Sequence, residues 1–354
     1  MVIRLVLALV LALPLAAQLT PARIEQLERA AARHMSAELV PALSVSVVAG
    51  DSPIWSGAWG FADLENHVPA TPRTVFRLAS VAKPFTAVAA MLLVEQGRLK
   101  LDAPVQDYVP FPRKPWTITM RHLLSHQSGI RHYRGDEFNS TKRYTSVGQA
   151  LEIFARDPLE HEPGTRYLYS TYGFNLAGAV VESAAGMPYD QWVRERVLAP
   201  AGIAAMQPDD VHRLIPRRAR GYRRSAESGL LENCALADTS NKVPGGGWVA
   251  TAEDLVRFAR ALMEGELLTQ ASLKQMWTPA ALRGGKPTRY GLGWNVYRQD
   301  GQLIVEHSGG QQGTNTHLWL MPERRMAIAV LANLEAGGAL RLARELAGIL
   351  SGAE

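Results

Sequence analysis

The chain has 354 residues, 38 Lys and Arg against 33 Asp and Glu for a net charge of +5, and 47% hydrophobic residues. That is enough chain for about two domains with a real core, and 30 Gly and 21 Pro spread along it disfavour collagen, coiled coil and intrinsic disorder. The single cysteine, Cys234, excludes an intrachain disulfide framework and a thiolate zinc cage, and so small a positive excess does not mark a nucleic-acid binder.

Arg4 precedes an apolar run of 13 residues, Leu5–Ala17, too short for a comfortable membrane span. Residues 1–17 are therefore expected to be an export signal, giving a periplasmic or secreted protein; an uncleaved leader would make it membrane-anchored. From Thr20 to Ala37, Ile24, Leu27, Ala31 and His34 recur at helical spacing. Leu43, Val45 and Val47 alternate with Ser44 and Ser46 as in a strand, and Gly50-Asp51 turns the chain into a second one around Ile54–Phe61. Phe85 to Val94 is apolar on every side, which predicts a fully buried helix.

From about 100 to 240 the texture changes to Pro-punctuated helices and loops. Thr251 to Asp254 reads as a capping box before Leu255, Phe258 and Leu262. Strands return around Gly291–Tyr297, Leu303–His307, Thr316–Met321 and Met326–Ala332, with a turn at Pro322–Arg325, before an amphipathic helix over Ala339–Ile349. Strands at both ends predict an α+β fold: an antiparallel sheet built from residues 18–100 and 245–354, flanked by helices, with a mostly helical domain, 101–244, inserted. A site is expected in the cleft between the two parts.

Three segments carry chemistry. Ser80-Val81-Ala82-Lys83 opens the buried helix, and Pro84 requires that helix to start close to Ser80. Three residues apart on a helix, Ser80 and Lys83 share a face, and a lysine in apolar surroundings loses its charge and can act as base toward a hydroxyl. Tyr169, in Tyr169-Ser170-Thr171 after the Pro163-Gly164 turn, can present a phenol to a cleft; held near cations, such a phenol can persist as phenolate. His307-Ser308-Gly309-Gly310 ends a strand, where glycines let a substrate approach the strand edge, and the N–H of Gly310 could face that of Ser80 across a carbonyl oxygen. Each segment also has a bland reading: a chance Ser-x-x-Lys, a packed tyrosine, a glycine-rich bend.

Their order and context resemble the serine β-lactamase and penicillin-binding-protein superfamily. Met120–Ile130, Pro163–Thr165, Gly245–Trp248 and Thr251–Leu255 extend the likeness over about residues 40 to 333. It looks closest to the class C β-lactamases with their esterase and peptidase relatives, and especially to the mitochondrial β-lactamase-like serine proteases of animals. The resemblance implies an acyl-enzyme on Ser80, proton relay through Lys83, and Tyr169 as general base and then acid. It further implies His307 where many members carry lysine, an oxyanion hole from the N–H groups of Ser80 and Gly310, and no metal or organic cofactor. Substrate contacts are expected from Thr171, Ser308, Gly309 and Gly310, the partner being a small molecule or peptide. Two departures, Thr171 where Asn is frequent and His307, only partly protonated near neutral pH, should weaken β-lactam capture. They favour a peptidase or esterase over a true β-lactamase or D-Ala-D-Ala-type peptidase. A non-catalytic binding protein on the same fold is the competing class, disfavoured because Ser80, Lys83 and Tyr169 are all present.

His122 and His126, four apart, have a zinc-site spacing without a following Glu. Arg213, Arg217, Arg218, Arg220, Arg223 and Arg224 form a basic run, read first as a solvated face and second as a site for anionic lipid or glycan.

Overall fold

A computed structural model describes residues 19–352; the expected leader, 1–17, lies outside them. Thr20 caps helix α1 (Pro21–Glu38) by accepting from the Arg23 N–H. The chain then forms the hairpin of β1 (Ala42–Ala49) and β2 (Trp55–Asp63), the short β3 (Val68–Pro69) and β4 (Phe76–Arg77), and the buried α2 (Ala82–Glu95). The middle carries α3 (Met120–Leu124), α4 (Val147–Ala150), α5 (Thr171–Ala185) and α6 (Tyr189–Val193), with three short strands, β5 (Gln207–Pro208), β6 (Tyr222–Arg224) and β7 (Leu231–Asn233). After α7 (Val243–Gly246), β8 (Trp248–Ala250), α8 (Ala252–Met263) and α9 (Gln270–Met276) come β9 (Asn295–Gln299), β10 (Gln302–Gln311), β11 (Thr314–Met321), β12 (Met326–Ala332) and α10 (Ala339–Ser351).

The main sheet has seven strands in the order β3-β2-β1-β12-β11-β10-β9, every pair antiparallel. The two chain ends meet at its centre, where Val45 opposes Val330. Both faces are covered, which is why all of β1 and β12 is buried. One face, with Val45, Val47, Ile328 and Val330, packs under α1 and α10; the other joins the larger core built on α2, α5 and α8. Phe85 of α2 and Phe258 of α8 stack at 3.8 Å in that core. Among the described residues no helix is long and apolar enough to cross a membrane.

The arginine-rich run is largely engaged with acidic side chains: Arg218 with Asp209, Arg220 with Glu65 and Arg223 with Glu232, while Arg224 donates to the Glu38 carbonyl. Arg220 and Arg224 thereby tie the 207–233 stretch to Glu65 and Glu38, while the other two pairs lie within the stretch itself.

Candidate active site

Ser80 lies in a single 3₁₀ turn, Ala79–Val81, that leads directly into α2. The residue before it, Ala79, has φ +50°, a left-handed conformation that a non-glycine holds only when its surroundings fix it. They do so here. Leu78 N–H donates to the Trp248 carbonyl at 2.8 Å, and the Leu78 carbonyl accepts from Thr316 Oγ1 at 2.8 Å. The turn that carries Ser80 is thereby fixed to β8 on one side and β11 on the other.

One helical turn along, Lys83 is 0% exposed. Its Nζ lies 3.0 Å from Ser80 Oγ, 3.2 Å from Thr171 Oγ1 and 2.7 Å from the Gly245 carbonyl. Burial, and secondarily the nearby Lys242, hold its pKa well below the ordinary lysine value. The Gly245 carbonyl comes so near because a Cβ on Gly245 would meet Thr171 Cγ2 at 2.5 Å, and one on Gly178 of α5 would meet Pro244 at 2.2 Å. The glycine-rich α7 is thus wedged between α2 and α5.

Tyr169 is also brought to Ser80, and its phenol hydrogen-bonds that side chain. Lys83 Nζ stands 4.9 Å from its ring centroid. Burial pushes the phenol far above its ordinary pKa, which favours a neutral O–H over the phenolate that the sequence allowed. Its position comes from histidines. His126, itself at φ +57°, accepts the Ser170 N–H at Nδ1 (3.1 Å), and His132 Nδ1 accepts the Thr171 N–H (3.3 Å). The His126 ring lies 4.2 Å from that of Tyr169. Sequence reasoning weighed His126 only as a metal ligand. Its actual role is to seat the tyrosine segment, and the signal for it was its place in the Met120–Ile130 segment. His122 Nδ1 is occupied by the Thr119 N–H, and among the described residues no group of three His, Cys, Asp or Glu could hold a metal ion.

His307 is corrected too. It is 2% exposed, its Nε2 meets Tyr290 Oη at 2.8 Å and its Nδ1 the Ser308 carbonyl at 2.8 Å. Burial above all, with Lys83 close by, lowers its pKa to about 3, so it is neutral rather than partly protonated near pH 7. On the opposite face of the strand, exposed Ser308 meets His317 Nδ1 at 2.9 Å, and His317 Nε2 lies 3.2 Å from Glu306. Pairing of β9 with β10 ends at Asn295 opposite Glu306, so His307 to Gln311 have an open outer edge among the described residues. This is the geometry needed for a substrate to add alongside.

Gly309 and Gly310 differ in purpose. A Cβ on Gly309 would sit 2.2 Å from Thr316 Oγ1 and 2.3 Å from the Leu78 carbonyl, whereas on Gly310 the nearest atom is Asn315 Nδ2 at 4.0 Å. Gly309→Ala is therefore expected to lower unfolding stability by about 1–3 kcal/mol through overpacking, and Gly310→Ala to change it by less than about 0.5 kcal/mol. Urea denaturation of the two variants tests this; equal losses would contradict it.

The family model described as Beta-lactamase matches residues 27–351. The chain belongs to that family. It is 27% identical to the human mitochondrial serine beta-lactamase-like protein LACTB, over 86% of this chain and 76% of that one. With Penicillin-binding protein 4* of Bacillus subtilis it shares 30% over 82% of this chain and 68% of the relative. Among solved structures, the D-amino acid amidase of Ochrobactrum anthropi SV3 complexed with D-phenylalanine superposes with a TM-score of 0.81 at 25% identity, covering 94% of this chain and 98% of that one. The protein is thus a member of the β-lactamase-like serine hydrolase superfamily, with that superfamily's mixed helices and antiparallel sheet.

Proposed function

We propose that this member cleaves an amide or ester bond through an acyl-Ser80 intermediate, as an exported peptidase or esterase. The observation that carries the reading is the 3.0 Å approach of Ser80 Oγ to a fully buried lysine whose pKa burial lowers well below the ordinary value, favouring the neutral amine. A neutral amine has two N–H groups and one lone pair. The Gly245 carbonyl and Thr171 Oγ1 take the N–H groups, which leaves the lone pair for the Ser80 proton. Lys83 is then the base of acylation, and Tyr169, a neutral O–H, protonates the leaving nitrogen or oxygen and recovers its proton from Lys83. The oxyanion would lie between the N–H groups of Ser80 and Gly310. Water then releases the acyl group by the reverse relay.

Neutral His307 favours a peptidase or esterase over a β-lactamase, because a leaving-group carboxylate finds no cation there. Likeness to an amidase is in keeping with an amide substrate, and the apolar leader after Arg4 is in keeping with export. The test is intact mass and turnover with a 4-nitrophenyl ester and, separately, a penicillin. Ser80-dependent ester turnover with slow or absent penicillin opening is expected. Rapid penicillin opening would make the protein a β-lactamase, and no Ser80-dependent reaction with either would remove the hydrolase reading.

A further inference from the structure

Lys242, at the end of a 3₁₀ turn (Thr239–Lys242) just before α7, is a second buried lysine beside Lys83 and has no part in the relay above. It is 2% exposed, yet its ammonium makes no hydrogen bond or ion pair within the described residues. It stands 4.7 Å from the Phe138 ring centroid and 5.3 Å from that of Tyr133. The acidic group that bears on it, Asp209, is already taken by Arg77 at 2.7 Å and Arg218 at 3.2 Å. A buried cation without a counter-ion is costly, and the cost falls away once an anion is delivered to it.

Its position relative to the strand edge says which part of a substrate would deliver that anion. The leaving group must lie near Tyr169, whose ring is 6.5 Å from that of His307, so His307 marks the leaving-group end of the open edge. Lys242 belongs to the other end. Phe138, against its ammonium, accepts at its carbonyl from Gln312 Nε2 (2.7 Å), and Gln312 follows directly on β10. Tyr133, the other ring, bonds Thr171, which in turn holds Lys83. Lys242 is thus two side chains from the catalytic amine, on the acyl side.

We propose that Lys242 is the recognition group of an acyl-side subsite, and that the preferred acyl donor carries a carboxylate, as an acidic residue does when it supplies the scissile carbonyl. This rests on the acyl-Ser80 reading. Burial holds the Lys242 pKa down to about 7, so an arriving carboxylate would restore its full charge and gain a desolvated ion pair.

Alkylboronic acids add reversibly to an activated serine with their alkyl arm in the acyl position. ω-Boronoalkanoic acids of several arm lengths, each paired with its ω-carboxamide, are tested as inhibitors of 4-nitrophenyl acetate turnover. In the wild type the best acid should bind at least about tenfold more tightly than its amide. That ratio should fall to near one in Lys242→Met and Lys242→Gln, checked as folded by thermal melting, and persist in Lys242→Arg. A wild-type ratio near one at every arm length overturns the proposal without any variant, and so does a ratio that survives in Lys242→Met or Lys242→Gln. Failure of the underlying reading looks different: no Ser80-dependent ester turnover, and no inhibition or binding by either member of any pair.

Discussion

Ser80→Ala is expected to lower ester turnover by about 10⁴-fold or more and to abolish covalent labelling, with the melting temperature changed little. The size follows from how the site divides the work. Without Oγ there is no acyl intermediate, and the buried amine of Lys83 has nothing to deprotonate. Lys83→Met should be nearly as severe, since Lys83 Nζ is 3.0 Å from Ser80 Oγ and the other group bonded to that side chain, the Tyr169 phenol, has a pKa raised by burial. Because the two act as one unit, the double variant should be no slower than Ser80→Ala alone, well short of the product of the separate losses. Turnover measured on the three variants decides this. Multiplicative losses would mean that Lys83 acts independently of Ser80, and labelling retained in Ser80→Ala would locate the nucleophile elsewhere.

How much of this was legible in the sequence depends on which physical signal carried it. Periodicity gave β12 at its observed bounds and α1 to within a residue, and the Thr251–Asp254 capping box forms as expected, with both reciprocal hydrogen bonds. The buried helix was readable because α2 has no polar face at all. Residues 207–250 were less readable. β5 and β8 are two and three residues long, too short for any period to show, and they exist because β4, β8 and β5 pair with one another. Ser80, Lys83 and Tyr169 could be picked out as residue types in an order that resembles a known family. Their protonation could not, because it depends on neighbours far away in the chain. Lys83 is desolvated by α5 and α7, and His307 is enclosed with Tyr290. Sequence showed a histidine where many relatives have lysine and implied a partial charge; burial removes that charge. Lys242 left no pattern at all, since a lysine before Val-Pro-Gly-Gly-Gly looks like any loop cation.

The same burial predicts an unusual pH dependence of stability. His126, His132 and His307 are all lowered in the folded protein, His132 to about 4 and His307 to about 3, chiefly by desolvation. In the unfolded chain they titrate near 6.5. Between those values unfolding takes up protons, so stability is fully present above about pH 6.5 and is lost as pH falls. For the two fully buried rings, His126 and His307, the slope is about 3 kcal/mol per pH unit together; half-buried His132 adds less. Lys83 and Lys242 act with the same sign at higher pH. Unfolded lysines stay charged to about pH 10.4 while Lys242 titrates at about 7 and Lys83 well below its ordinary value, so stability continues to rise above neutrality. The buried phenols of Tyr169 and Tyr290 reverse the trend only beyond about pH 10, where unfolded tyrosines ionise and these do not. Maximal stability should therefore lie near pH 9 to 10, above the usual range of about 5 to 8. Urea midpoints at pH 5, 7 and 9 should rise in that order. A midpoint that falls from pH 7 to 9 would mean that the lysines are charged in the folded state, and Lys83 could not then take the serine proton. On the acyl-Ser80 reading, catalysis and the rise in stability above neutrality both depend on an amine whose pKa burial lowers, so a denaturation curve is also a test of that reading.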